Sequence, residues 1–281
     1  MFMPPVLRRL AVSSALFVAS LLPALHLNGP ARAASLPVDL ELILAVDVSR
    51  SVDAIEARLQ RQGYIAAMTS DTVMNAIKSG PYRRIALAYV EWAGEEYQQT
   101  IMPWTLIENL EGAQSFMSKV ADSPYVAIRW TSISAAIDYS RALFEQSPFE
   151  GTRRVLDISG DGKNNHGRDL AAARAEAIAA GITINGLPIL SSRAGAYDST
   201  ALRGWPSEAD LDIYYQTQVI GGPGAFMVPA ESFDTFSEAV KSKLMREIAG
   251  IPPGVPVEGD TQFAYGPLSN KLQDAFARLA D

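Results

Sequence analysis

Five oxygen-bearing side chains carry the clearest chemistry in this sequence. Asp47, Ser49 and Ser51 stand in Asp47-Val48-Ser49-Arg50-Ser51, Thr131 follows Arg129-Trp130, and Asp161 lies in Ser159-Gly160-Asp161-Gly162. Alternate residues of an extended segment point to one side, so Asp47, Ser49 and, if the extension persists, Ser51 converge on one point. Two carboxylates and three hydroxyls form an oxygen-only donor set. Such a set suits a hard cation, Mg²⁺ or alternatively Mn²⁺ or Ca²⁺; Mg²⁺ takes near-octahedral oxygens at about 2.0–2.1 Å and keeps some waters. With few protein charges bound directly, the ion stays electrophilic and can accept a carboxylate from a partner. The D-x-S-x-S run alone is weak, because Asp and Ser cap ordinary turns. Its weight depends on where the other two residues fall in the fold.

Other chemistries are poorly served. There is no cysteine, and the histidines are His26, inside an N-terminal apolar run, and His166. Zinc sites built on His or Cys are thereby close to excluded. A Ser-His-Asp triad would need His166 as base, Ser159 or Ser49 as nucleophile and Asp161 or Asp157 behind it, and no G-x-S-x-G elbow accompanies these serines. Neither G-x-x-x-x-G-K-[ST] nor G-x-G-x-x-G occurs, so nucleotide binding finds no support. No catalytic constellation is expected. His166, with Asn164 and Asn165, reads as rim of the cation site, although the asparagines serve equally as turn formers; Arg50 and Trp130 fall on the same rim. Trp92, Trp104 and Trp205 read as core or rim residues.

The elements that must position these groups alternate. Leu40–Val46 is a nearly continuous apolar run with one charge, Glu41, as expected of a central strand buried on both faces. Ile85–Val90, Val155–Ile158 and Ile182–Leu187 have the same character, and Ala225–Val228 is either a short strand or a loop. Gln98–Met102 is placed to be the antiparallel partner of Ile85–Val90 at a sheet edge. Helical spacing appears after Asp53 and Glu56, a capping-box pair, with Ile55, Leu59, Gly63 and Ala66 on the expected inner face. Ile133, Ala136, Ile137, Ser140, Leu143 and Phe144 mark a second helix, beginning at Thr131. A third runs from Asp169 as N-cap to Ala180, with Gly181 at the C′ position, and a fourth carries Phe233, Phe236, Val240 and Leu244. The expectation is a doubly wound α/β domain, a mostly parallel sheet with one antiparallel edge strand and helices on both faces. In such a sheet ligands bind at the carboxyl edge, which is where Asp47, Thr131 and Asp161 all fall. Asp157, inside an apolar strand, needs a partner: Arg153, Arg154, another basic residue, or a supporting role behind the site.

This pattern resembles the von Willebrand factor type A domain and its metal-ion-dependent adhesion site (MIDAS), the fold shared with integrin inserted domains. The matching residues are Asp47, Ser49, Ser51, Thr131 and Asp161, and the resemblance covers about residues 38–250. It implies that Ser49, Ser51 and Thr131 are the direct or switchable ligands, with Asp47 and Asp161 acting largely through water. Ser159-Gly160-Asp161-Gly162-Lys163-Asn164-Asn165 looks like the third loop of an uncharacterised bacterial group of exported type A-like proteins. One departure stands out. A small residue commonly precedes the threonine in the family, whereas Arg129 and Trp130 do so here, either narrowing access to the ion or forming part of a partner surface.

The ends of the chain frame this reading. Arg8-Arg9, the apolar run Leu10–Leu27 and Ala31-Arg32-Ala33 have the layout of a secretory signal peptide over residues 1–33. Residues 36–250 then form the type A-like domain, and residues 251–281 a tail with a short helix at Leu272, Ala275, Phe276 and Leu279. Loss of the leader removes three arginines and no acids, taking the formal charge from −7 to −10. Such a domain lacks the basic footprint of a nucleic-acid binder. The expected partner is a protein presenting an Asp or Glu carboxylate, met outside the cytoplasm, in the periplasm or beyond, with no stable membrane insertion once the leader is gone. The rival readings are a metal-assisted hydrolase using the same ion and a purely structural metal site.

Overall fold

The structure, a computed structural model, describes residues 35–190, 210–231, 235–251 and 255. The leader, Trp205, Phe233 and the expected C-terminal helix lie outside the described residues. Along the chain the strands are β1 (Leu36–Val38), β2 (Glu41–Asp47), β3 (Ile85–Trp92), β4 (Gln98–Ile107), β5 (Phe149–Gly151), β6 (Arg154–Gly160) and β7 (Ile182–Pro188). The helices are α1 (Ala54–Met68), α2 (Asp71–Ser79), α3 (Leu110–Ala121), α4 (Ile133–Glu145), α5 (Leu170–Ala179), α6 (Leu211–Tyr214, running into a π-helical turn to Val219) and α7 (Phe236–Ala249). Five strands form one sheet in the order β4-β3-β2-β6-β7. All neighbours in it are parallel except β3 and β4, which pair antiparallel at the edge. β1 and β5 form a separate parallel pair.

Every residue of β2 is buried, as its apolar run requires. Leu42, Leu44 and Val46 face a core built with α1, α2, α3 and α7, while Ile43 and Ala45 face a second core built with α4, α5 and α6. The expected helices form, with three adjustments. α4 starts at Ile133, capped by Ser132, because the Ser132 hydroxyl accepts the Ala135 N–H and leaves Thr131 in the preceding loop. Ala225–Val228 is not a strand; it touches β7 through a single bridge between Met227 and Gly186. The inner face of α1 is not the expected one. Ile55 and Ala66 are exposed, and Ala57, Gln60, Arg61, Gly63, Tyr64 and Ala67 are buried. The reason is polar. Arg61 is buried because it pairs with Glu91 of β3 at 2.7 Å and donates to the Ser123 carbonyl at 2.6 Å, a partnership that apolar periodicity does not register. Gly63 belongs to this face because α7 crosses there: a Cβ would lie 2.7 Å from the Phe236 ring.

The same face holds a charged cluster sealed from solvent. Lys243 of α7 is 0% exposed and pairs with Asp157 of β6 at 2.6 Å and with Glu247. Asn185 of β7 donates to Glu247 at 2.8 Å and accepts the Phe226 N–H at 3.0 Å. Lys243 is therefore the partner that Asp157 required; Arg153 instead donates to the Glu247 and Ile248 carbonyls, and Arg154 pairs with Glu41. One ammonium faces two carboxylates. Burial pushes Glu247 up to about 7, Lys243 pulls it down and the Asp157 charge adds to the rise; burial also raises Asp157. A carboxyl whose folded pKa exceeds its unfolded value holds its proton better in the native state, so stability falls as pH rises from about 4.5 to about 7. Glu247→Gln should shrink the loss of stability between pH 5 and pH 8 by roughly 1–3 kcal/mol. Urea unfolding at the two pH values measures it, and an unchanged difference would refute the assignment.

Candidate metal site at the carboxyl edge of the sheet

The parallel strands β2, β3 and β6 end at one edge, where the loop leaving β2, the end of β3 and the segment between α3 and α4 are hydrogen-bonded to one another. The Val48 N–H donates to the Trp92 carbonyl at 2.9 Å, so the first loop leaves β2 alongside the end of β3. Two residues on, Arg50 N–H donates to the Ile128 carbonyl at 2.9 Å and Ile128 N–H to the Val48 carbonyl at 3.3 Å, a short parallel bridge centred on Ser49 and Ile128. This places the first loop beside the segment leading to Thr131. The Ser132 N–H donates to the Ala93 carbonyl at 2.7 Å, closing that segment onto the end of β3.

Four of the five expected ligands form one chain of contacts. Asp47, fully buried, accepts the Ser49 N–H on Oδ1 at 2.7 Å. The Ser49 and Ser51 hydroxyls lie 2.9 Å apart, and the Ser51 hydroxyl donates to Asp161 Oδ1 at 2.7 Å. The extension does not persist to Ser51: it ends at Ser49, and a turn closed by the Val52 N–H on the Ser49 carbonyl at 3.0 Å brings the Ser51 hydroxyl back beside that of Ser49. Thr131, also buried, joins through its backbone: its N–H donates to Asn165 Oδ1 and its carbonyl accepts the Asn165 N–H, both at 2.9 Å. The second and third loops are thus tied at Thr131, and the first and third at Ser51–Asp161.

The rim residues have distinct places. Arg50 is exposed. Trp130 is 48% exposed, lies at φ 71°, stacks on the His166 ring at 5.7 Å and carries the Arg129 guanidinium 5.3 Å from its ring centre. His166 Nδ1 accepts the Glu95 N–H at 3.1 Å, so the nitrogen a base would use there is already engaged. Asn164 Oδ1 accepts the Ser134 N–H at 3.0 Å, and the Asn164 N–H donates to the Tyr214 hydroxyl at 3.1 Å. Two contributors escaped the reading of the sequence. A Cβ on Gly160 would lie 2.9 Å from Asp47 Oδ2 and 3.0 Å from the Tyr215 hydroxyl, and one on Gly94 would lie 2.8 Å from the Arg129 carbonyl. Gly160, in the Ser-Gly-Asp-Gly run, was the more visible of the two.

The donor types suit a hard ion. The Ser49–Ser51 hydroxyl spacing of 2.9 Å is that of an ordinary hydrogen bond, and it is also compatible with adjacent ligands of an octahedral cation at about 2.0–2.1 Å. Among the described residues no group of three or more His, Cys, Asp or Glu side chains comes together. The donors that do gather are hydroxyls with two carboxylates, a set that such a grouping would not contain.

The sheet order, the single antiparallel edge and the helices on both faces make this a von Willebrand factor type A fold. The chain belongs to the family described as "Protein of unknown function (DUF1194)", which matches residues 37–252. No curated protein matches it by sequence. Among solved structures it is similar to proximal thread matrix protein 1 from the mussel byssus, with 15% identity, 76% of this chain and 48% of that one covered and a TM-score of 0.54. A form of that mussel protein with a zinc occupied MIDAS motif aligns at TM-score 0.55 and 14% identity over 76% of this chain and 49% of that one. The von Willebrand factor type A protein from Catenulispora acidiphila follows at TM-score 0.50 and 15% identity, over 75% and 43%. The pilus adhesin SpaC from Lactobacillus rhamnosus GG aligns at TM-score 0.53 and 13% identity, over 76% and 31%. The chain spans about half or less of the length of each, and the likeness is one of fold.

The close approach at Gly160 yields a direct test. Gly160→Ala forces a methyl group against the Asp47 carboxylate and the Tyr215 hydroxyl, and overpacking of this kind costs about 1–3 kcal/mol. Urea unfolding should show that loss, and a variant as stable as the parent would mean that the loop yields freely.

Proposed function

We propose that this protein is an exported, divalent-cation-dependent protein-binding module that uses a metal-ion-dependent adhesion site. The observation that carries the reading is the continuous contact Asp47–Ser49–Ser51–Asp161, with Thr131 held beside it on the neighbouring loop. Support comes from the fold, from the zinc occupied MIDAS motif of the mussel relative and from the adhesin among the structural neighbours. Ser49, Ser51 and Thr131 would hold Mg²⁺, or Mn²⁺ or Ca²⁺, with Asp47 and Asp161 supporting it through water. When bound, the ion supplies a Lewis acid that takes a carboxylate from the partner protein. The chain's own part is to keep the hydroxyls converged, so that little ordering is left to occur on binding. Export rests on the leader-like N-terminus; among the described residues no helix is long and apolar enough to cross a membrane.

In protein stripped of divalent ions, Mg²⁺ at about 100 times its dissociation constant should stabilise the fold by about 2.7 kcal/mol. Thr131→Ala and Asp47→Asn should each remove most of that gain, and a chelator should release any partner protein recovered from the native envelope. Calorimetry showing no Mg²⁺ heat, with no shift in melting temperature, would end this reading.

A further inference from the structure

Asn164, Asn165 and His166 are consecutive, and each points a side-chain acceptor at a backbone N–H of another segment. Asn164 meets Ser134, Asn165 meets Thr131, and His166 meets Glu95 in the turn between β3 and β4. Asn165 grips Thr131 twice, since its own N–H donates to the Thr131 carbonyl. Two glycines allow the approach. A Cβ on Gly94 would press on the Arg129 carbonyl and the Trp130 Cβ, and one on Gly167, at φ 87°, would collide with the Ser132 and Ser134 hydroxyls.

The held loop contains a backbone conformation that does not arise by itself. Trp130 sits at φ 71°, a region that bulky residues avoid, and it gains no burial there, its side chain remaining half in solvent. Strain of this kind persists only where the surroundings impose it. Here the imposing contacts are the two hydrogen bonds at Thr131, immediately after Trp130, and the stacking of its ring on His166.

We propose that Asn164, Asn165 and His166 are positioning residues that lock residues 129–134 into one conformation, turning Thr131 toward the ion site and holding Trp130 out at its rim. This rests on the ion-binding reading above. The lock acts through the backbone of Thr131, so it sets ion affinity without any of the three residues touching the ion. It also gives Arg129 and Trp130 a use: in place of the small residue common in the family, they form a fixed aromatic and cationic edge beside the bound carboxylate.

The test uses Asn165→Leu, which removes the acceptor, and Asn165→Asp, which keeps it; Asn165 is exposed, so both variants should fold. In metal-free protein, amide hydrogen exchange at Thr131 should quicken at least tenfold in Asn165→Leu and stay at the parent rate in Asn165→Asp. By calorimetry the Mg²⁺ dissociation constant should rise at least tenfold in Asn165→Leu alone. His166→Ala supplies a second arm: acrylamide quenching of Trp130 fluorescence should increase, read against Trp130→Phe to isolate that residue's signal. Unchanged Thr131 exchange in Asn165→Leu would show that there is no lock. Faster exchange with unchanged Mg²⁺ affinity would show a merely structural contact and overturn the proposal while leaving the ion site standing. A parent protein that binds no Mg²⁺ would remove the ion site, and the proposal with it.

Discussion

Asp47 ends the central strand with no solvent exposure, so its carboxylate has to be met from inside the protein. The Ser49 N–H meets one oxygen, and Gly160 gives the other room by presenting no Cβ. That single requirement bends the first loop back on its own strand, which brings the Ser49 and Ser51 hydroxyls together and delivers Ser51 to Asp161. The parallel register does the rest. Because β2 lies between β3 and β6, its carboxyl end emerges between the end of β3, where Ser132 closes the α3–α4 loop carrying Thr131 onto Ala93, and the end of β6 that leads to Asp161.

A second polar seam lies on the other face of the sheet from the Asp47 carboxylate, in the core shared with α1 and α7. Asp157 precedes Ser159 on one side of β6, and Ser159 accepts the Tyr64 hydroxyl proton at 3.1 Å before the strand ends at Gly160 and the chain turns to Asp161. Asp157 is held from α7 by Lys243, and Glu91 from α1 by Arg61. Two of the four helices on this face, α1 and α7, therefore have a charged attachment to a strand that ends at the candidate site. A buried pair of this kind adds little net stability over a well-packed apolar one, yet breaking it by losing one partner is costly, and its geometry admits one register. The seams act as registration marks more than as glue.

These seams also explain where the sequence was legible and where it was not. The order of the five main-sheet strands with α1, α4, α5 and α7, the antiparallel edge strand and the caps at Asp53 and Asp169 follow from apolar periodicity and local hydrogen bonding, so they could be read directly. The meeting of Asp47 and Ser49 with Asp161 at one edge could be read from strand alternation and sheet topology, whereas Ser51 arrives through a turn at Ser49–Val52 in place of the extension expected for it. The inner face of α1 could not, since Arg61 and Gln60 are polar and the partners that account for burying Arg61, Glu91 and the Ser123 carbonyl, lie far along the chain. Lys243 was invisible as the partner of Asp157 for the same reason: it lies on a helix whose apolar residues alone define its stripe. Helices α2, α3 and α6 were not anticipated. Gly94 and the double grip of Asn165 on Thr131 depend on loop-to-loop distances that no periodicity encodes.

The use of hydrogen-bond acceptors at the rim favours the proposed binding reading over the hydrolytic one. A general base needs a free lone pair aimed at the reacting centre. Here His166 Nδ1 and the side-chain oxygens of Asn164 and Asn165 all accept backbone N–H groups, which are permanent donors and do not exchange protons during a reaction. What the loops leave at the centre are the Ser49 and Ser51 hydroxyls with the Asp47 and Asp161 carboxylates, an oxygen set suited to surround a hard cation. The rim spends its acceptors on rigidity, and rigidity is what a surface gains from when it must meet one carboxylate in one orientation with little entropy left to lose.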